Sequence, residues 1–515
     1  MAIMNDRYKI LMAFGIIALF MLQACFTRTS EASSTAQPLE EQASGIRLGF
    51  KNDPSSSMVV SWWSQIANTD SKVYYGFTES KLNFTATSTD VVAVPSGYIH
   101  NVELSNLQPD TRYYYKCGGI SGNSTVFSFT TAPSPRSRGI HFAAYGDTRS
   151  DRLRRKIVAD MIVNHSAMNH ANDLELVLNT GDIVSNGTKQ ELFDHYSEDI
   201  EPLSSHIPIM YTAGNHEISG MRSHYPQQFV EPNNGNDGWF YSFNWGPVHF
   251  ICSDSETHGF PILDMMDLNW LREDLRRANK DNTVLWIVVW FHQPPYVSFS
   301  HNSRKDLRDS WGVLFDKYNV DLILNGHCHA YQRNYPVSHD GTIYKAGDPH
   351  YVNPPYPLYI VSAAGAVNYE GKSQANLRGD SFQAKWHNSR YGPDGDYVFY
   401  PSNHFLNINA SFNESTNKTK LLIDVIGLQN YTDNPTLKNY TVAKIDEVSI
   451  TKDIPASWHE PINNVTYTSY SKNSTMFSVL VLVLTTGIVL MVNLLVIVSW
   501  RKAQKEKRRG FGVST

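Results

Sequence analysis

Five short apolar runs in the middle of this 515-residue chain each end in a residue type that binds metal ions. Gly146-Asp147 follows Ile140–Tyr145, Gly181-Asp182 follows Leu174–Leu178, and Gly214-Asn215-His216-Glu217 follows Ile207–Tyr211. His292 follows Val284–Phe291, and Gly326-His327-Cys328-His329 follows Val320–Leu324. The runs read as strands, together with Val248–Ser253, and Arg152–Val163 and Leu268–Asn279 between them read as helices. Alternation of this kind builds an α/β sheet with helices on its faces. The carboxyl ends of strands in such sheets line the binding crevice, so residues distant in sequence can meet there.

The residue types fit one task. Asp carboxylate, Asn carbonyl and His imidazole are ligands for Mn, Fe or Zn. Asp147, Asp182, Asn215, His292, His327 and His329 are too many for one open catalytic ion. They suit two ions about 4 Å apart, bridged by one carboxylate, a layout that displaces phosphate esters in line. Each piece alone carries little, since an Asp after Gly is more often a turn and a lone His more often structural. The ordered series, each member at the end of a strand, is what carries the assignment.

Upstream lie six short alternating or β-branched runs: Met58–Trp63, Lys72–Tyr75, Val91–Val94, His100–Leu104, Arg112–Cys117 and Val126–Thr131. Turn clusters such as Gln108-Pro109-Asp110 separate them, and Ala132-Pro133-Ser134-Pro135 closes the series. That predicts a small β-sandwich over residues 45–132, ahead of a catalytic domain over 139–455. Strand-like runs at Phe405–Asn409, Leu421–Ile426 and Val442–Ile450 complete the second domain.

Both ends of the chain speak to a membrane. Residues 1–25 hold a mildly basic start and the apolar run Ile10–Ala24, the layout of a secretory signal. Leu22-Gln23-Ala24-Cys25 resembles a bacterial lipoprotein box. Residues 26–44 are small and polar, as in a linker. Residues 476–500 hold no charged side chain, and at 1.5 Å per residue they span roughly 37 Å, enough for a transmembrane helix. Residues 456–475 form a stalk before it, and the basic tail 501–515 stays cytoplasmic by the positive-inside rule. Eleven Asn-x-Ser/Thr sequons, five of them within 409–439, agree with a glycosylated outer surface. The tail carries a net +5 and the first 25 residues a net +1, which leaves −11 between them. So acidic a body is a poor nucleic-acid binder. Cys25, Cys117, Cys252 and Cys328 are too few and too scattered for a disulfide scaffold.

The order GD…GD…GNHE…H…GHxH, with YSFNWGPVHFICSDSET, FHQPPY and FDKYNVDLILNGHCHAYQR, resembles the purple acid phosphatase family of calcineurin-like metallophosphoesterases. SMVVSWW, VYYG, IHNVELSNLQPDTRYYYK and FSFTTAPSP are similar to that family's fibronectin III-like module. The resemblance covers roughly residues 45–450. It implies an α/β fold with a four-layer β-sandwich core and flanking helices, preceded by the all-β domain. It implies Asp147 and His329 as ligands of a first metal, Asp182 as the bridge, and Asn215, His292 and His327 on the second. It implies His216 as a transition-state contact and His301 as a pocket residue that meets substrate or protonates the leaving group.

One departure stands out. The family's Tyr three residues after the bridging Asp, a ligand of ferric iron, is Ser185 here. The His that many related enzymes place two residues after the first Asp is Arg149. Asn186 offers an amide oxygen next to Ser185 and also begins a sequon. The expected cofactor is therefore a pair of divalent ions, or weakly held iron. The expected reaction is hydrolysis of small phosphate monoesters without a covalent phospho-enzyme. Phosphodiester or nucleotide hydrolysis is the enzymatic alternative, and a non-catalytic surface binding protein on the same fold is the alternative from another class.

Overall fold

The computed structural model describes residues 43–67, 71–119, 122–168, 174–218, 223–236, 238–256, 261–297, 303–344, 349–366, 383–387, 403–429, 441–463 and 465. The expected signal at 1–25, the expected linker up to residue 42 and the expected span at 476–500 lie outside the described residues, while Ser44, expected to end the linker, begins a strand. Among the described residues no helix is long and apolar enough to cross a membrane.

Residues 44–130 form two facing antiparallel sheets. One orders Ser44–Gly49, Ser57–Ser64, Gly97–Ser105 and Asp90–Val94 side by side. The other is built on Ser71–Gly76 and Arg112–Gly119, flanked by Phe84–Ser88, Gly122–Asn123 and Phe127–Thr130. Alternation places Met58, Val60 and Trp62 of one strand in the core with Val102, Tyr115 and Phe129 of others.

The second domain holds two seven-stranded sheets. The first runs Ile209–Tyr211, Leu176–Asn179, Ile140–Tyr145, His404–Asn413, Lys418–Gln429, Thr441–Asp453 and His350–Val352. Its first three strands are parallel. The second runs Tyr241–Trp245, Val248–Cys252, Trp286–Trp290, Leu322–Asn325, Leu358–Ser362, Tyr331–Asn334 and Gln383–His387, with a parallel block from Val248 to Ser362.

Strand alternation fixes the layers. Phe142, Ala144, Leu176 and Leu178 face inward against Phe250, Val288, Leu322 and Leu324 of the other sheet. Their neighbours Ala143, Tyr145 and Val177 face outward, under Val158 and Ile162 of helix Arg152–Met168 and Phe193 and Ile200 of helix Gln190–Ser204. On the far side, Ile251, Val289 and Ile323 are covered by Trp270, Leu271 and Leu275 of helix Pro261–Ala278 and by Trp311 and Phe315. Helix, sheet, sheet and helix are therefore stacked around three apolar seams.

The sequence pattern passed over several elements, among them strand Ser44–Gly49 and helix Gln190–Ser204. That helix does carry an apolar stripe at helical spacing, Phe193, Tyr196, Ile200 and Leu203, interleaved with acidic residues and with Pro202 in its last turn. The segment expected to begin a stalk at residue 456 instead packs on the domain over its described part. Trp458 is buried under Phe412 and the Arg136 guanidinium, and Asn282 donates to the carbonyls of Ser457 and Pro461.

The two domains share one core. Phe50 packs edge-on to Phe243 at 5.0 Å and beside Trp245 at 5.8 Å. Buried Arg47 donates from Nε and Nη2 to the Gln228 carbonyl, at 2.9 and 2.6 Å. Tyr115 donates its hydroxyl to the Ser205 carbonyl at 2.7 Å.

Candidate metal centre

The site lies where the two sheets meet. Asp147, Asp182 and Asn215 follow three parallel strands of the first sheet, and His292, His327 and His329 follow two parallel strands of the second. Asp147, Asp182 and His327 have φ of +56°, +52° and +69°. Left-handed backbone is uncommon for such residues and costs on the order of 1–3 kcal/mol each. Here it turns the chain off the strand and into the crevice.

Bonds between the loops hold this geometry. The Asp147 amide donates to the Gly181 carbonyl at 2.8 Å, and the Thr148 amide to the Asp182 carbonyl at 3.0 Å. Fully buried Glu217 joins two loops, accepting from the amides of Asp182 and Val184 at 2.9 Å each and of Gly214 at 2.7 Å. Glu217 is a positioning residue that the sequence displayed only as the last letter of GNHE. Burial, then the Asp182 charge, push its carboxyl well above the ordinary range, and the three amides pull the other way.

The side-chain donors converge. His292 Nδ1 donates to the Thr180 carbonyl at 2.8 Å, which leaves Nε2 to face Asn215 Oδ1 at 3.2 Å and Asp182 Oδ1 at 3.4 Å. His327 Nδ1 lies 2.9 Å from Asn215 Oδ1, and His329 Nε2 lies 3.5 Å from Asp147 Oδ1. Donors each about 2.1 Å from a common ion lie roughly 3.0–3.4 Å apart, close to the separations between His292 and Asn215, His292 and Asp182, and His327 and Asn215. One ligand atom each from Asp147, Asp182 and His292 also lies within 4.8 Å of the other two.

Small residues keep the cradle open. A Cβ on Gly326 would sit 2.7 Å from Asp147 Oδ2, and one on Gly214 would sit 2.3 Å from Asp182 Oδ1. Electrostatics suit a cation too. Burial and then Asp182 push the Asp147 carboxyl well up. Burial would raise Asp182 as well, but His292, His216 and Arg149 together hold it below the usual carboxylate range. Burial lowers His292, which favours the neutral, ligating imidazole.

Not every candidate joins the cluster. His216 sits at the rim, with its amide on Asp182 Oδ1 at 3.1 Å. Its Nδ1 donates to the Ser185 carbonyl at 2.9 Å, so Nε2 points back toward Asp182 Oδ2 at 3.8 Å. Ser185 thus contributes its backbone. Asn186 turns away, its Oδ1 accepting from the amide and hydroxyl of Thr188 at 2.9 and 2.7 Å in a local turn. His301 lies outside the described residues. Arg149 reaches the centre, with Nε donating to Asp182 Oδ2 at 3.0 Å and Nη2 to His329 Nε2 at 3.2 Å. In sequence Arg149 shows only as the residue that stands where related enzymes have a His.

Comparison with known proteins gives the same picture. Residues 43–131 match the purple acid phosphatase N-terminal domain family, and residues 140–331 match the calcineurin-like phosphoesterase family. Human acid phosphatase type 7 is 31% identical over 351 residues, covering 62% of this chain and 77% of the human protein. Probable purple acid phosphatase 20 of Arabidopsis thaliana is 31% identical over 296 residues, covering 54% of this chain and 66% of the plant protein. The fold is similar to that of the yellow lupin purple acid phosphatase PPD1, with a TM-score of 0.60 at 17% identity, over 80% of this chain and 75% of that one. The chain belongs to the purple acid phosphatase family of calcineurin-like phosphoesterases.

Proposed function

We propose that this phosphoesterase hydrolyses small phosphate monoesters in a metal-dependent reaction, on an ectodomain held at the outer face of a cell membrane. The observation that carries the reading is the convergence of Asp182, Asn215, His292 and His327, with Asn215 at 3.2 and 2.9 Å from the two imidazoles and Asp182 at 3.4 Å from His292, beside Asp147 and His329. These residues would hold divalent Fe, Mn or Zn, which would supply positive charge to the phosphoryl oxygens and lower the pKa of water. The chain's own residues do the rest. His216, anchored through Nδ1 by the Ser185 carbonyl, stands at the rim where it meets a phosphoryl oxygen. His301 or a water protonates the leaving alkoxide. The outward address rests on the apolar run 476–500, the basic tail after it, and sequons on exposed Asn83, Asn123, Asn413 and Asn417.

The test is direct. The full-length chain in detergent is stripped of metal and assayed on p-nitrophenyl phosphate and its bis ester while Fe, Mn or Zn is restored singly. Metal-dependent turnover of the monoester is expected, falling on the order of a hundredfold or more in Asp182→Asn. Preference for the bis ester would move the assignment to phosphodiester hydrolysis. A folded chain inert with every metal would leave the surface-binding reading.

A further inference from the structure

The first-metal side of the centre differs from the second. The family's Tyr ligand is replaced by Ser185, and the position where many related enzymes place a His ligand holds Arg149. The Arg149 side chain lies across this half, 19% exposed, against an Asp182 that is 1% exposed. Its Nε holds Asp182 Oδ2 and its Nη2 holds His329 Nε2. These are two of the three donors that a first ion needs, the third being Asp147. The other carboxylate oxygen, Asp182 Oδ1, faces His292 and the His216 amide, so the two halves of the bridge are already divided between a guanidinium and an imidazole set.

The loop carrying Arg149 is tied on both sides. The Thr148 amide donates to the Asp182 carbonyl, and the Thr148 carbonyl accepts from Arg155 Nε at 3.0 Å. Arg155 is buried and also donates from Nη1 to Asp199 Oδ2 of the neighbouring helix at 3.1 Å. Guanidinium stays protonated at any working pH, has a planar fork that suits carboxylate, and cannot share a donor lone pair with a metal.

Resting on the phosphoesterase reading above, we propose that Arg149 is a built-in cation that takes the place of the first metal. The chain then holds one tight divalent ion, at Asp182, Asn215, His292 and His327, where its relatives hold a pair. Arg149 supplies fixed charge next to the phosphoryl group, and the one ion held by the other ligands would lower the pKa of water. Two features fit this arrangement together: the loss of the Tyr ligand, and the presence of a positive side chain whose donors point at the remaining ligands.

Metal content decides it. Full-length wild type, Arg149→Ala, Arg149→His and Arg149→Lys are stripped, equilibrated with excess Mn or Zn, desalted, and assayed for metal per chain by mass spectrometry. Melting curves confirm that each is folded. One ion per chain is expected in wild type and Arg149→Lys. Two are expected in Arg149→His, where the imidazole becomes a ligand, and in Arg149→Ala if that variant folds. Two tightly held ions in wild type would overturn the proposal while leaving the phosphoesterase reading intact. One ion in wild type and in folded Arg149→His would equally overturn it, since removing the guanidinium then admits nothing. No ion in any folded protein would sink the metal-dependent reading itself.

Discussion

At the scale of single residues, the centre is a balance between buried acids and the positive groups around them. Asp147 and Asp182 are both out of solvent, so one keeps its charge against His292, His216 and Arg149 while the other is pushed up. Glu256, which bonds to the residue after His292, is a simpler case just outside the ligand set. It accepts from Gln293 Nε2 at 2.8 Å and from the Ser255 hydroxyl at 3.2 Å. Burial, the largest cause, raises its carboxyl to about 8 from an ordinary 4.5, and the Asp254 and Asp182 charges add to this. Between those two values the folded chain holds a proton that the unfolded chain has released. Stability therefore falls as pH rises through that window, by at most about 5 kcal/mol from this group. Glu256→Gln should flatten the loss between pH 5 and pH 8, read as melting temperature at the two values. An unchanged pH profile would mean that the Glu256 carboxyl titrates as if exposed.

At the scale of elements, the strand-to-loop turns set how closely the ligands approach. Gly181 has φ of +93°, and a Cβ there would lie 2.8 Å from His292 Nδ1 and 3.0 Å from the Gly214 amide nitrogen. Gly341 has φ of +89° with nothing within 4 Å of its Cβ. Ala at either position meets the same backbone strain, about 1–3 kcal/mol. Only Gly181→Ala also pushes on His292 and its bond to the Thr180 carbonyl. Calorimetric titration with Mn should show a loss of affinity on the order of tenfold or more in Gly181→Ala and none in Gly341→Ala. Equal losses in both would place the effect in global stability.

At the scale of the whole molecule, the β-sandwich and the catalytic domain are parts of one apolar core. Ile46, Leu48 and Phe50 belong to the same cluster as Phe243, Trp245 and Phe250, and buried Arg47 satisfies the Gln228 carbonyl from across the joint. Separating them would expose the Phe50 pocket and strand a buried guanidinium. The described body is therefore expected to melt in a single calorimetric transition. Phe50→Ala should lower that transition by about 3–5 kcal/mol of stability without splitting it. Two resolved transitions in wild type would show that the shared core is not cooperative.

How much of this was legible beforehand follows from what a sequence can encode locally. The identities of Asp147, Asp182, Asn215, His292, His327 and His329 stood out because each follows an apolar run, and an apolar run with a polar end is a local pattern. The all-β start and α/β body were readable for the same reason. Helix Gln190–Ser204 was legible too, since Phe193, Tyr196, Ile200 and Leu203 stand at helical spacing, and only its packing beside Phe229 is a tertiary matter. Periodicity reports which face of a strand is buried, but not which two sheets stack. Only the tertiary structure brings three residues of one sheet against three of the other, lays Trp458 on the catalytic body, and aims Arg149 at Asp182 and His329. A charge two residues past a ligand has no direction in sequence. The backbone turn at Asp147 and the ties on Thr148 give it one.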